Sequence, residues 1–163
     1  MKLLEIFSIK QSQLQQQVIP NIFLLGIGLV GFIGFLDSVY LTAKRFLGGP
    51  IPCFVFTGCD TVAQSPYAVI LGVPLSVIGI LYYLTIILIA LFYFETKKVE
   101  LIKLFSALSV VGFIASIYFL YLQAFVINAF CFYCILSAIT STTLFAFGVI
   151  MWKRYLSGSG ETA

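Results

Sequence analysis

Four long apolar runs constrain this chain more than any other feature of its sequence. They cover about residues 19–42, 73–94, 104–126 and 130–152. A helix of about 20 apolar residues crosses the hydrocarbon core of a bilayer. The chain is 61% hydrophobic and only 9% charged, whereas soluble domains are about 25% charged. The sequence therefore predicts an all-α integral membrane protein built as a four-helix bundle.

The segments between and beside these runs divide the chain further. Residues 1–17 are predicted to form an amphipathic segment at the membrane interface, residues 18–155 the four-span domain, and residues 156–163 a flexible tail. The long connection is at residues 46–72, between the first and second spans. It contains glycines and prolines that break regular structure, and its residues 59–65 are predicted to form a short half-helix that Pro66 ends.

The basic residues predict the orientation of the spans. Four spans place both termini on one side, and seven of the nine Lys and Arg residues belong to that side. The positive-inside rule then puts both termini in the cytoplasm and the long loop outside. The prediction is a multi-pass protein of the cell inner membrane, in contact with membrane lipid. No basic stripe or RNA-binding motif is present, so we do not expect a nucleic-acid partner.

The four cysteines fall on the outer side in this topology. Cys53 and Cys59 lie in the long loop, and Cys131 and Cys134 form a Cys-x-x-Cys pair at the start of the fourth run. Disulfides form on that side of a cell membrane. Three interpretations are open: structural disulfides in a non-catalytic membrane subunit, a zinc or iron–sulfur site, or a redox relay. The sequence lacks histidine, the commonest general base and metal ligand.

The arrangement of the two pairs favours the relay, and we expect no metal. A disulfide across three residues of one helix closes a very short loop and adds little stability. A Cys-x-x-Cys pair at a helix N-terminus is instead typical of exchange-active thiols. Cys53 and Cys59, in the outer loop, can reach a soluble protein. Cys131 and Cys134, at the boundary of the membrane, can reach a lipid-soluble oxidant. A membrane quinone, which accepts two electrons, fits that oxidant.

The order of several motifs resembles the prokaryotic branch of the vitamin K epoxide reductase family, over about residues 20–155. The Dsb-type membrane oxidases differ because their Cys-x-x-Cys pair comes first in the chain. The motifs, in chain order, are Ser38-Val39-Tyr40-Leu41 at the end of the first span, Cys53 and Cys59 in the outer loop, Ser65, Gly72-Val73-Pro74, and Cys131-Phe132-Tyr133-Cys134.

The resemblance implies an activity and a role for each cysteine. Similar proteins oxidise a thioredoxin-fold protein on the extracytoplasmic side and reduce a quinone, ubiquinone or menaquinone, which supports disulfide bond formation. Cys53 would receive electrons from the partner and re-form a disulfide with Cys59. Cys59 would pass the electrons to Cys131, and Cys134 would meet the quinone. Ser65 matches a family serine whose hydroxyl lies near the quinone.

The sequence departs from the family pattern in two respects, and two further residues are candidates for the quinone site. Ala138 stands where vertebrate members carry a vitamin-binding tyrosine, which favours plain quinone reduction over epoxide reduction. Many bacterial members carry a fused thioredoxin-like domain. Because this chain stops shortly after its fourth span, we expect its partner to be a separate protein. Asp37 is a candidate for the quinone site because a carboxylate within a span is costly; its alternative is a hydrated place at the interface. Tyr40 could shape the same pocket or serve as an interfacial aromatic.

Overall fold

The computed structural model describes residues 21–49, 51–53 and 58–159, with side chains described as far as residue 154. Within those ranges, four helices are long and apolar enough to cross a membrane. This confirms the predicted all-α membrane bundle. The helices are α1 (Asn21–Leu47), the short α2 (Cys59–Gln64), α3 (Leu75–Thr96), α4 (Val99–Tyr121) and α5 (Phe132–Ser159).

Helix α1 runs five residues beyond its predicted end. Lys44 and Arg45 lie in its last turn, where positive charge interacts favourably with the helix dipole. The helix ends at Leu47. The next residue, Gly48, has a left-handed φ of +75°, and its N–H donates to the Lys44 carbonyl at 3.1 Å. This glycine terminus fixes the point at which the outer loop begins.

The half-helix is present at the predicted place, as α2. It is followed by a 3₁₀ turn at Pro66–Ala68 and by a small antiparallel hairpin, β1 (Val69–Ile70) and β2 (Val73–Pro74). No sequence pattern had indicated this hairpin. Its two turn residues, Leu71 and Gly72, both have positive φ, as tight hairpin turns require. The hairpin leads the chain directly into α3.

The predictions for the two ends of the chain concern residues 1–17 and 156–163. The amphipathic segment predicted at residues 1–17 lies outside the described residues. Helix α5 continues to Ser159, so the first four residues of the predicted flexible tail, 156–159, are helical. Each residue added to an existing helix gains a backbone hydrogen bond, which explains why α5 continues past its basic residues.

The bundle core lies between α1, α3, α4 and α5. Small residues on α1 permit close packing: a side chain at Gly34 would overlap the Tyr83 ring of α3, and one at Gly26 would press on Phe147 of α5. Tyr83 is 2% exposed, and its hydroxyl hydrogen-bonds the Ser137 and Thr140 side chains of α5 at 2.9 and 2.7 Å. This contact joins α3 to α5 just below the cysteines.

Candidate functional site

The four cysteines meet in one cluster at the outer end of the bundle. Cys59 and Cys131 are each 1% exposed and form its centre together with Ile51 and Val62, while Cys53 and Cys134 pack against it. The cluster thus joins the start of α2, in the loop, to the start of α5. The structure brings together the two pairs that are 72 residues or more apart in the sequence.

The two pairs differ in redox state. Cys53 and Cys59 are joined by a disulfide, and Cys131 and Cys134 are free thiols. A disulfide beside two free thiols is the arrangement in which thiol–disulfide exchange can occur.

Several polar contacts hold the loop over the bundle. The Ile51 N–H donates to the Asp60 carboxylate at 3.0 Å, and the Tyr133 hydroxyl donates to the Pro52 carbonyl at 3.2 Å. The Arg45 guanidinium donates to the Ala63 carbonyl at the end of α2. These bonds connect the loop to α1, to α2 and to α5, so the Cys53–Cys59 pair is held near the other pair.

Gly58 brings the backbone of the loop next to that of the Cys-x-x-Cys segment. A Cβ at Gly58 would lie 2.9 Å from the Phe130 carbonyl oxygen and from the Ala129 Cβ. Real Cβ atoms do not approach backbone atoms so closely. The residues that precede Cys59 and Cys131 are therefore in direct contact because position 58 lacks a side chain.

Replacing Gly58 with alanine is expected to slow electron transfer between the pairs by about 10-fold, since displacements below 1 Å already have large effects on reacting groups. Transfer can be measured by quenching the reaction with a thiol-alkylating reagent and counting alkylated cysteines. Gly28→Ala is the matched control, because a Cβ at Gly28 meets nothing within 4 Å. Equal transfer rates in Gly58→Ala and wild type would contradict this role.

Cys131 is held by the turn that precedes it. Helix α4 passes into a π-helical turn, Leu122–Ile127, and π-turns are frequent at functional sites. Gln123 in this turn is 2% exposed, and its side-chain oxygen accepts a hydrogen bond from the Cys131 N–H at 2.9 Å. The bond fixes the backbone of Cys131 where α5 begins.

The hydrogen bond from the Cys134 thiol lowers the pKa of the Cys131 thiol to about 7, and the backbone N–H groups of Cys134 and Tyr133 act in the same direction. Burial of Cys131 opposes this effect. Backbone N–H groups at a helix N-terminus stabilise a thiolate. Cys131 is therefore the more readily ionised group at the point where the two pairs meet.

Thiolate formation at Cys131 is expected to rise with a midpoint near pH 7, because a lowered pKa means that the thiolate is populated above that pH. The measurement is ultraviolet absorbance of the thiolate across a pH titration of the protein with the Cys53–Cys59 disulfide intact. Cys131→Ser provides the control and should remove this transition. A wild-type midpoint at the ordinary value of a thiol, about 8.5, would contradict the prediction.

A cavity of about 260 Å³ has Cys131 and Cys134 in its wall. It is close to the lower end of the range of about 300–1,000 Å³ that is usual for small-molecule sites. Most of its lining is apolar and comes from α3, α4 and α5. The polar or reactive residues at its wall include Asp37, Ser65, Cys131, Cys134, Ser137 and Ser141.

Three of the four residues predicted for a quinone site line this cavity, and the fourth does not. Cys134, Ser65 and Asp37 are at its wall. Tyr40 lies outside that wall and packs against the Tyr133 ring with centroids 5.0 Å apart. Tyr40 therefore contacts the helix that bears the Cys-x-x-Cys pair, and a role in binding a quinone remains a prediction for it. Ala138, the position of the vertebrate tyrosine, also lines the cavity.

Several residues at the cavity wall were not predicted from the sequence. Tyr83 and Ser137 line the cavity, yet each is one of many similar residues in an apolar run. Gln123 offered a signal, because an amide within a predicted span is unusual and polar residues there tend to be functional. Among the described residues, no group of three or more His, Cys, Asp or Glu side chains is placed to hold a metal ion.

Comparison with known proteins agrees with this geometry. Residues 25–149 match the Vitamin K epoxide reductase family. The chain is also similar to the thiol-disulfide oxidoreductase LTO1 of Arabidopsis thaliana, with 34% identity over 123 residues. The match covers 70% of this chain and 32% of the relative, so the chain spans about a third of the length of that protein.

Proposed function

Because the chain belongs to the vitamin K epoxide reductase family, we propose that it is a membrane thiol–disulfide oxidoreductase that oxidises a thioredoxin-fold protein and reduces a membrane quinone. One observation carries this proposal: all four cysteines occupy a single buried cluster, and Cys131 and Cys134 of that cluster also line a cavity. One pair thus belongs to the loop and the other to the wall of a small-molecule site.

Electrons move by two successive thiol–disulfide exchanges. The dithiol of the partner protein reduces the Cys53–Cys59 disulfide and becomes a disulfide itself. The Cys59 thiolate then attacks Cys131 of an oxidised Cys131–Cys134 pair, and Cys134 leaves as a thiolate. Attack of Cys53 on Cys59 re-forms the loop disulfide and releases Cys131. This final arrangement, with an oxidised loop pair and two free thiols, is the one that the structure has.

The quinone is the electron-accepting substrate, and the cavity suits its head group. The lining is mainly apolar, and its polar residues include Ser65 and Ser137. The Ser65 hydroxyl now donates to the Val62 carbonyl at 2.8 Å, and its rotation would direct the proton to a quinone oxygen. A hydrogen-bond donor at that place stabilises the negative charge that the oxygen gains on reduction.

Ala138 supports reduction of a plain quinone. It is buried at the cavity wall, so the position contributes a methyl group where vertebrate members of the family present a tyrosine hydroxyl. The cavity consequently lacks that hydrogen-bond donor. We propose ubiquinone or menaquinone as the substrate class, and epoxide reduction is not part of the proposed activity.

The cysteines are proposed to face the extracytoplasmic side of the cell inner membrane. The asymmetry of Lys and Arg supports this orientation, as does the presence of the Cys53–Cys59 disulfide at the end of the bundle that would face outward. The thioredoxin-fold partner is then extracytoplasmic. The name of the Arabidopsis relative, a thiol-disulfide oxidoreductase, agrees with thiol exchange as the reaction.

A trapped disulfide between the two pairs tests the proposal. In the double variant Cys53→Ala, Cys134→Ser, only Cys59 and Cys131 remain, and neither has its own partner. We expect oxidation to join them, which peptide mapping by mass spectrometry would detect. The matched control is Cys59→Ser, Cys134→Ser, which leaves Cys53 and Cys131. A Cys59–Cys131 bond that never forms would refute the proposed relay.

A further inference from the structure

Asp37 carries a buried carboxylate without a hydrogen-bond partner in the part of the chain that the structure describes. Asp37 is 7% exposed, and neither of its carboxylate oxygens has a hydrogen-bond partner among the residues that the structure describes. Asp60, in contrast, accepts a bond from the Ile51 N–H. A carboxylate that is buried without a partner is costly. Asp37 is thus better explained by a reaction at the site than by the stability of the bundle.

The position of Asp37 connects it to the reacting thiols. Its side chain lines the same cavity as Cys131 and Cys134 and interacts electrostatically with both thiols. Two neighbouring acidic groups in an apolar cavity do not readily lose both protons, because like charges repel strongly where water is scarce. Asp37 and the thiol pair are therefore expected to share protons as a coupled set.

The other ionisable groups around the cavity do not neutralise Asp37. Arg45 lies eight residues further along α1, about 12 Å away along the helix axis, and its guanidinium is bound to the Ala63 carbonyl. No ion pair to Asp37 occurs in the described ranges. Helix α4 contributes no acidic or basic residue to the cavity wall. The groups that face Asp37 or share its cavity are Cys131, Cys134 and Tyr133 at the start of α5, Tyr82 and Tyr83 of α3, Tyr67, and Arg45.

We propose that Asp37 is the proton-transfer residue of the quinone-reducing step, an inference that rests on the proposed function. In that step the Cys131 and Cys134 S–H bonds break and one S–S bond forms. The released electron pair reduces the quinone, whose two oxygens take up two protons. Asp37 gives its proton to one oxygen and regains a proton from Cys131, while the Cys134 proton reaches the other oxygen. Asp37 is unchanged overall, and the reaction balances.

The test is Asp37→Asn, which keeps the size and polarity of the side chain but cannot transfer a proton. Pre-reduced protein is mixed with a soluble quinone analogue, and a single turnover is followed by quinone absorbance. We expect the rate to fall by about 100-fold, at the lower end of the range for general acid–base catalysis, with the quinone concentration for half-maximal rate little changed. Asp37→Glu should restore much of the rate.

Two further readouts separate this role from a structural one. Asp37→Asn should unfold at the same or a higher temperature than wild type, because it removes a buried acid without a hydrogen-bond partner among the described residues. Exchange between the two cysteine pairs, followed by alkylation, should be unaffected. Glu95→Gln, which removes an exposed carboxylate at the end of α3, is the matched control and should behave as wild type.

The outcomes distinguish this inference from the proposed function. Wild-type protein that reduces no quinone would overturn both. Wild-type protein that reduces quinone, together with an Asp37→Asn variant that does so equally fast, would overturn the role of Asp37 alone. A slow variant that has also lost thermal stability and that Asp37→Glu does not rescue would assign Asp37 a structural role, and would overturn the inference as well.

Discussion

Serine at position 134 abolishes quinone reduction, according to the proposed mechanism. Cys134 lies at the cavity wall, and its sulfur must form the S–S bond that releases the electron pair. A hydroxyl cannot form that bond, so we expect the rate in Cys134→Ser to fall by about 1,000-fold or more, within the range seen when an enzyme loses its nucleophile. The measurement is quinone absorbance after chemically reduced protein is mixed with a quinone analogue.

Cys53→Ser is the matched control for that experiment, since it makes the same atomic change in the loop pair. A small dithiol reduces the Cys131–Cys134 pair directly, so the quinone step should proceed in Cys53→Ser. Retention of wild-type quinone reduction in Cys134→Ser would refute the role of Cys134. It would also favour the alternative of a membrane subunit whose cysteines are structural.

Replacing Cys59 with serine should separate the two halves of the reaction. Cys59 and Cys131 are both at the centre of the buried cluster, and Cys59 is the proposed donor to Cys131. We expect Cys59→Ser to lose oxidation of the protein partner almost completely while a small dithiol still supports quinone reduction. Without Cys59 the loop has no disulfide for the partner dithiol to attack. The partner should therefore remain reduced in the presence of quinone, which alkylation of its thiols would show.

Cys131→Ser provides the comparison for this experiment. It should lose quinone reduction with either reductant, whereas Cys59→Ser should lose only the reaction that begins with the protein partner. Equal loss with both reductants in Cys59→Ser would mean that Cys59 is needed at the quinone itself, and the proposed order of the pairs would be wrong.

The bundle was predictable because hydropathy dominates the folding of a membrane chain. Apolar runs of sufficient length specify spans, and the four predicted spans correspond to α1, α3, α4 and α5. Pro66 correctly indicated where the half-helix ends. Errors were concentrated at helix ends, such as the extension of α1 to Leu47, where charged residues interrupt the hydropathy signal without ending the helix.

The sequence predicted that the four cysteines lie on one side of the membrane, and the structure places them in one cluster, but their surroundings were less predictable. The positive-inside rule puts both cysteine pairs on the outer side of the membrane. That placement was enough to predict that the four cysteines lie near one another. The close contact at Gly58 and the Gln123 bond to the Cys131 N–H depend on tertiary packing that no local pattern encodes. Tyr40 illustrates the same limit, since its place on α1 did not reveal that its ring packs on Tyr133.

Coupled oxidation of a protein and reduction of a quinone tests the central claim most directly. Purified protein is mixed with a reduced thioredoxin-fold protein and a soluble ubiquinone or menaquinone analogue, and quinone absorbance is followed. Wild type should reduce one quinone for each disulfide formed in the partner, whereas Cys53→Ala and Cys134→Ala should reduce none. Wild type that is inert with every quinone and partner, or variants that match an active wild type, would contradict the relay.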